Sequence, residues 1–170
     1  MSNNGFIFFK DYVKYLLDKH NNRTKIFKKY HNIKLLDIDK FLEKINNNLQ
    51  IDDDDYYYSS ILLYKLSKKK FKLNYLNMKE YTIGCILLSQ KFNDDFAHDN
   101  IDWASILKYR LKYINRIEKN LLDFLEFKIY ISENKFNYYV NIIEIKLRKQ
   151  SRFKKVLNNL TNRFSLNKLQ

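Results

Sequence analysis

Proline is absent from this chain of 170 residues, and glycine occurs only at Gly5 and Gly84. Sheet-rich and loop-rich folds need turn residues that tolerate positive φ. Their near absence points to helices joined by short polar loops, and the candidate loops are rich in Asn and Asp. The apolar spacing agrees, being helical almost throughout. Phe9, Val13, Leu16 and Leu17 make one stripe near the N-terminus, and "NNRTKIFKKYHN" follows as a basic connector. Ile38, Phe41, Leu42 and Ile45 fall at i, i+3, i+4 and i+7, with Asp37 placed to cap the start.

The next helix opens at Asp52–Asp55 and closes in lysines, which suits both ends of the helix dipole. A helix over Asn77–Phe92 has Asn77 and Glu80 at capping-box spacing. Ile83, Cys85, Ile86, Leu87 and Leu88 are apolar nearly all round it, so it should be the most buried. Gly84 within it costs about 1 kcal/mol of helix stability relative to alanine, which close approach of a crossing helix would offset. A short helix is expected over Trp103–Tyr109. A longer one is expected over Arg110–Leu125, with Ile114, Ile117, Leu121, Leu122 and Leu125 on its apolar face. Ser132 can cap another with Phe136, Val140 and Ile143 inward, and Arg152–Phe164 can form a last amphipathic helix. The expectation is an all-α domain of about six to eight helices around one central helix.

Apolar residues make up 45% and charged residues 30%, a balance that fits neither a disordered nor a membrane chain. No apolar run reaches the roughly 18 residues of a spanning helix. The N-terminus has no basic region or cleavage site of a secretory signal. A single cysteine, Cys85, excludes an internal disulfide and a cysteine zinc cluster, and a reducing setting in nucleus or cytoplasm is the expectation. The formal net charge of +13 fits nucleic acid, a membrane surface or an acidic partner. It fits equally a solvated surface shaped by AT-rich codons, since Lys, Asn, Ile, Tyr and Phe dominate the composition.

No enzyme constellation stands out. Asp52–Asp55 lacks the spaced oxygens, mid-loop glycine and terminal glutamate of a calcium loop. Asp94 and Asp95 are adjacent loop residues with nothing converging on them. His20, His31 and His98 have no metal-ligand spacing, so no metal or cofactor is expected. Ser59, Ser60 and Cys85 read as core positions. Two charges do stand out. Lys91 continues the row of Leu87 and Leu88, and Glu118 interrupts the face of Ile114 and Leu122. Either they pair, because an unpaired buried charge is very unfavourable, or both reach solvent at the domain edge.

The order of these segments resembles the cyclin box, most closely that of the P-type cyclins. "LLDIDKFLEKI", "YYYSSILLYKLSKK" and "LNYLNMKEYTIGCILLSQKFNDD" are similar to its first three helices. "DWASILKYRLKYINRIEKNLLDFLEFKIYIS" is similar to the fourth and fifth, with a tryptophan, an Asn-Arg-Ile-Glu turn and a closing Phe. The likeness covers about Leu35–Tyr139. It implies a cyclin box over 35–131, five core helices around a central buried one. An N-terminal helix and connector (1–34) and a C-terminal helical extension (132–170) would flank it. It departs at Tyr64–Lys65, where the family usually carries Asp-Arg, and at Ser89 and Gln90, where small residues are usual.

The resemblance implies a non-catalytic activator of a cyclin-dependent Ser/Thr kinase. Lys91 and Glu118 would hold the kinase's C-helix. Leu88, Phe92, Leu122 and Phe127 would supply apolar contact, with Asp94 and Asp95 beside the interface. The alternatives are a TFIIB-like nucleic-acid binder of the same fold, or a scaffold that binds without activating.

Overall fold

A computed structural model describes residues 4–21, 27–69 and 73–166, excepting the side chains of residues 20, 21, 27–36 and 153–166. The expected all-α class is observed. The described residues form α1 (Asn4–Asn21), α2 (Phe27–Asn48), α3 (Asp53–Lys68), α4 (Met78–Asn93), α5 (Asn100–Leu107), α6 (Leu111–Leu125) and α7 (Glu133–Leu166), with no strand among them. None of these helices is long and apolar enough to cross a membrane.

The core is built on α3 and α4. Helix α1 lies on α3, α6 crosses α4, and α7 packs on α3. Every residue from Tyr81 to Gln90 is buried, as the apolar run around α4 predicts. The stripe of Phe9, Val13, Leu16 and Leu17 is buried too, and so are Ile38, Leu42 and Ile45 of α2. Trp103 is fully buried and anchors the short α5. Where α3 meets α4, the hydroxyls of Ser59 and Ser89 stand 2.6 Å apart in the dry interior. Small hydroxyl residues allow this approach and satisfy each other there.

Both glycines mark helix crossings. A Cβ on Gly84 would stand 2.8 Å from Leu121 Cδ2 and 3.2 Å from Ile117 Cγ2, so α6 crosses α4 at the missing side chain. Gly5 is tighter. A Cβ there would meet the backbone of Asp53, 2.7 Å from its Cα, while Gly5 N donates to Asp53 Oδ1 at 2.9 Å. The acids that open α3 therefore hold α1 as well as suiting the helix dipole. Asp55 is buried and accepts from Asn93 Nδ2 at 3.0 Å; burial raises its pKa, and the Asn93 bond opposes that rise.

Four local expectations are corrected. Part of the basic connector is helix, since α2 begins at Phe27. Lysines are good helix formers, and neither Pro nor Gly interrupts the segment. Asp37 is therefore inside α2 and caps nothing; its carboxylate pairs with Lys79 Nζ at 2.6 Å. The capping box at α4 does not form. Asn77 Oδ1 accepts from Asn74 N at 2.8 Å, and Glu80 accepts from the Tyr113 hydroxyl on α6. Finally, Arg152–Phe164 is no separate helix, because α7 runs unbroken from Glu133 to Leu166.

Candidate functional site

The last turn of α4 brings Lys91 to the edge of the core. Its row through Leu87 and Leu88 is buried, and Lys91 is where that row reaches the surface. Helix α6 presents Glu118 from the side of its buried stripe Ile114, Ile117 and Leu121. The crossing at Gly84 sets the two helices close enough for these side chains to meet. Lys91 Nζ lies 2.8 Å from Glu118 Oε1, with the side chains 32% and 20% exposed. The two readings of the sequence thus resolve toward pairing.

Two amides complete the arrangement. Lys91 Nζ also donates to Asn100 Oδ1 at 2.8 Å. Asn100 Nδ2 donates to Glu118 Oε2 at 2.6 Å and to Asn115 Oδ1 at 2.8 Å. Helices α4, α5 and α6 are thereby tied by one polar ring. Asn100 opens α5, whose start is fixed by a capping box between Asp99 and Asp102. The Asn-Arg-Ile-Glu segment is helix within α6, not a turn, which puts Asn115 one turn before Glu118. Sequence reasoning missed both asparagines. The i, i+3 spacing could have found Asn115. Nothing in the sequence brings Asn100 to this place.

The ammonium of a lysine has three donors, and two are engaged here. Among the described residues these are its two acceptors, which leaves one donor for a further acceptor. Glu118 fixes where that ammonium stands, so the site can present a positioned cation on a half-buried edge.

The other expected residues fall into distinct settings. Leu88 is only 4% exposed and belongs to the core beneath Lys91. Phe92 is half exposed, and its ring stacks on Tyr58 with centroids 5.7 Å apart. Leu122 is half-buried, one turn beyond Glu118. Phe127 is 68% exposed just past the end of α6. Asp94 closes α4 and its Oδ1 accepts from Phe96 N at 2.8 Å, which occupies it as a loop former. Asp95 is exposed. Phe96 and Tyr130, not singled out in the sequence, are exposed aromatics as well. The ring of Tyr130 is 6.4 Å from that of Phe92. Tyr58 ties this edge to the α6–α7 connector by donating to Ile129 O at 3.0 Å, and burial pushes its phenol up to about 12.

Among the described residues no group of three or more His, Cys, Asp or Glu could hold a metal ion. Cys85 is fully buried, and burial pushes its thiol up, away from nucleophilic use.

Comparison of the sequence with known proteins finds a partial similarity. Over 73 residues the chain is 29% identical to Cyclin-P1-1 from Oryza sativa subsp. japonica. The similarity is to a cyclin. It covers 43% of this chain and 28% of that cyclin's length, so the chain matches well under half of its relative. No protein-family model matches the chain.

Proposed function

We propose that this chain is a cyclin-type regulatory subunit, without chemistry of its own, that binds a cyclin-dependent Ser/Thr kinase. In this reading Lys91, positioned by Glu118, takes a carbonyl at the end of the kinase's C-helix. Phe92, Leu122 and Phe127 give the apolar contact. Phosphoryl transfer needs the kinase's own ion pair between its β3 lysine and C-helix glutamate. A partner that binds only the inward position of that helix shifts the kinase toward its active form. The observation that carries the reading is the Lys91–Glu118 pair, held across α4 and α6 beside exposed aromatic rings. The partial similarity to a cyclin supports it.

The test is capture of co-purifying kinases by the full chain, followed by binding and activity assays on the purified pair. Lys91→Ala and Glu118→Ala should each weaken the complex about tenfold or more while helicity stays unchanged. Binding equal to wild type in both would overturn the interface. Binding without activation would leave the scaffold reading.

A second reading, nucleic-acid binding of the TFIIB-like kind, has its own observation. Arg110, Lys112, Arg116 and Lys119 line one shallow groove on α6 with no carboxylate among its lining residues. The Arg116 guanidinium stands 4.9 Å from the ring of Tyr113. Steeply salt-dependent DNA binding, lost on neutralising these four residues, would favour it over the kinase reading.

A further inference from the structure

On another side of the α6–α7 connector, the ends of α3 and α6 and the first turns of α7 enclose a pocket of about 490 Å³. Lys65, Lys68, Lys69, Lys128 and Lys135 line it, and Glu126 is the one carboxylate among the lining residues. Glu126 is already shared: Lys69 Nζ lies 2.8 Å from one oxygen and Lys128 Nζ 2.7 Å from the other. Lys69 also donates to the carbonyl of Phe124, and Lys65 to that of Lys128 at 3.1 Å. Lysines at helix C-termini are ordinary, since they suit the negative end of the dipole. That accounts for Lys68 and Lys69 but not for Lys135. It stands in the first turn of α7, at the positive end of a helix, where a cation is disfavoured. It also faces Lys65, whose pKa is lowered by burial and then by Lys135 itself.

The position includes Tyr64–Lys65, one of the two places where the sequence departs from the cyclin-box pattern it resembles. Tyr64 is buried against Tyr139, with ring centroids 5.6 Å apart. The ammonium groups of Lys68 and Lys146 lie over the Tyr64 ring at 5.4 and 4.3 Å. Cations are thus gathered here with too few acids to balance them. Rings and carbonyls hold some of these ammonium groups, and a bound anion would offset the remaining excess of positive charge.

We propose that this pocket binds a phosphorylated serine or threonine side chain of a partner protein. A phosphate monoester brings nearly two charges and three acceptor oxygens to a pocket that Lys65, Lys68 and Lys135 line without a carboxylate partner among the lining residues. A carboxylate brings one charge and two oxygens. The pocket is an open concavity between helix ends, with room for a phosphorylated side chain and part of the peptide that carries it. Tyr130 lines it and also approaches Phe92, so a peptide seated here continues onto the exposed aromatic edge. The charge and shape of the pocket make no use of Lys91 or Glu118. The proposal therefore stands whether or not the partner is a kinase.

The test is fluorescence anisotropy of the full chain with a labelled Gly/Ser-rich peptide carrying one phosphothreonine. The same peptide with Thr and with Glu, inorganic phosphate as competitor, and an oligothymidine strand form the other arms. The phosphopeptide should bind about tenfold more tightly than either control peptide, and inorganic phosphate should displace it. Lys65→Gln with Lys135→Gln should remove most of that binding. Lys112→Gln with Lys119→Gln should leave it unchanged, and Glu126→Gln should strengthen it. Lys91→Ala should not affect it, which separates this site from the kinase interface. Equal binding of the three peptides would overturn the proposal. So would wild-type binding by a folded Lys65→Gln, Lys135→Gln variant, or oligothymidine binding more tightly than the phosphopeptide through the same lysines.

Discussion

Two glutamates paired with lysine, one within α6 and one just past its end, are built into different surroundings. Glu118 meets one lysine, half-buried, inside a ring closed by Asn100 and Asn115. Charge there is balanced and every group is placed. Glu126, at the end of the helix, is exposed and shared by two lysines, with three more around the same pocket. Charge there is in excess. Counting ion pairs therefore says little about what a charged cluster does. The balanced pair is a fixed feature of the fold that can present one donor. The unbalanced cluster is a surface waiting for a counter-charge.

Backbone conformation sharpens the contrast. The corner before α6 has one residue in the left-handed region, Lys108 at φ 59. The corner after it has two in succession, Glu126 at φ 55 and Phe127 at φ 56. Glycine usually takes such places, because a Cβ is strained there by roughly 1 kcal/mol. Phe127 takes that conformation while 68% exposed, so its own burial does little to offset the strain.

The largest expected effect breaks the comparison if it fails. Glu118→Ala leaves Lys91 half-buried without its carboxylate and should lower stability by about 1–2 kcal/mol, between the surface and buried cases. Glu126→Ala should leave the urea midpoint unmoved, because its partners are exposed and water replaces it. Equal losses in the two variants would mean that both clusters hold the fold. Next in size is the corner. Phe127→Gly should stabilise the chain by about 0.5–1 kcal/mol, read as a higher Tm, and weaken partner binding. Lys108→Gly should give a similar gain and leave partner binding alone. If Phe127→Gly binds as wild type, the exposed ring is not a contact.

What the sequence made legible follows the range of the interactions. Helices α3, α4 and α6 were readable to within a residue or two, because their apolar periods and charged ends are local. Lys91 and Glu118 were readable because each interrupts an apolar row. Gly84 was readable as a crossing because a glycine inside an apolar helix needs a reason. Gly5 was not, since a glycine near a chain end looks like a loose start, and only the backbone of Asp53 gives it meaning. Asn100 joins the site through a contact between three helices. The lysine pocket was invisible for the same cause. Its five cations come from α3, the α6–α7 connector and α7, and only the packing of α7 on α3 faces Lys135 toward Lys65. The start of α2 at Phe27 was hidden by a lysine-rich segment that reads as loop on charge and as helix on propensity.

The smallest effect tests the charge cluster most directly. Hydrogen bonds from Lys128 and Lys69 lower the Glu126 carboxyl from its ordinary 4.5 to about 2. A carboxylate with a depressed folded pKa contributes its interaction fully above the unfolded value, near 4.5, and loses it as pH falls toward about 2. The group is exposed, so this should appear in its own titration and hardly in global stability. NMR of the Glu126 side chain should show a midpoint well below 4.5 at low salt, rising toward 4.5 as salt screens the lysines. Phosphopeptide binding should raise the midpoint as well, since a dianion in the same pocket repels the carboxylate. A midpoint indifferent to the phosphopeptide would place the anion elsewhere and return this end of α6 to an ordinary, solvated helix terminus.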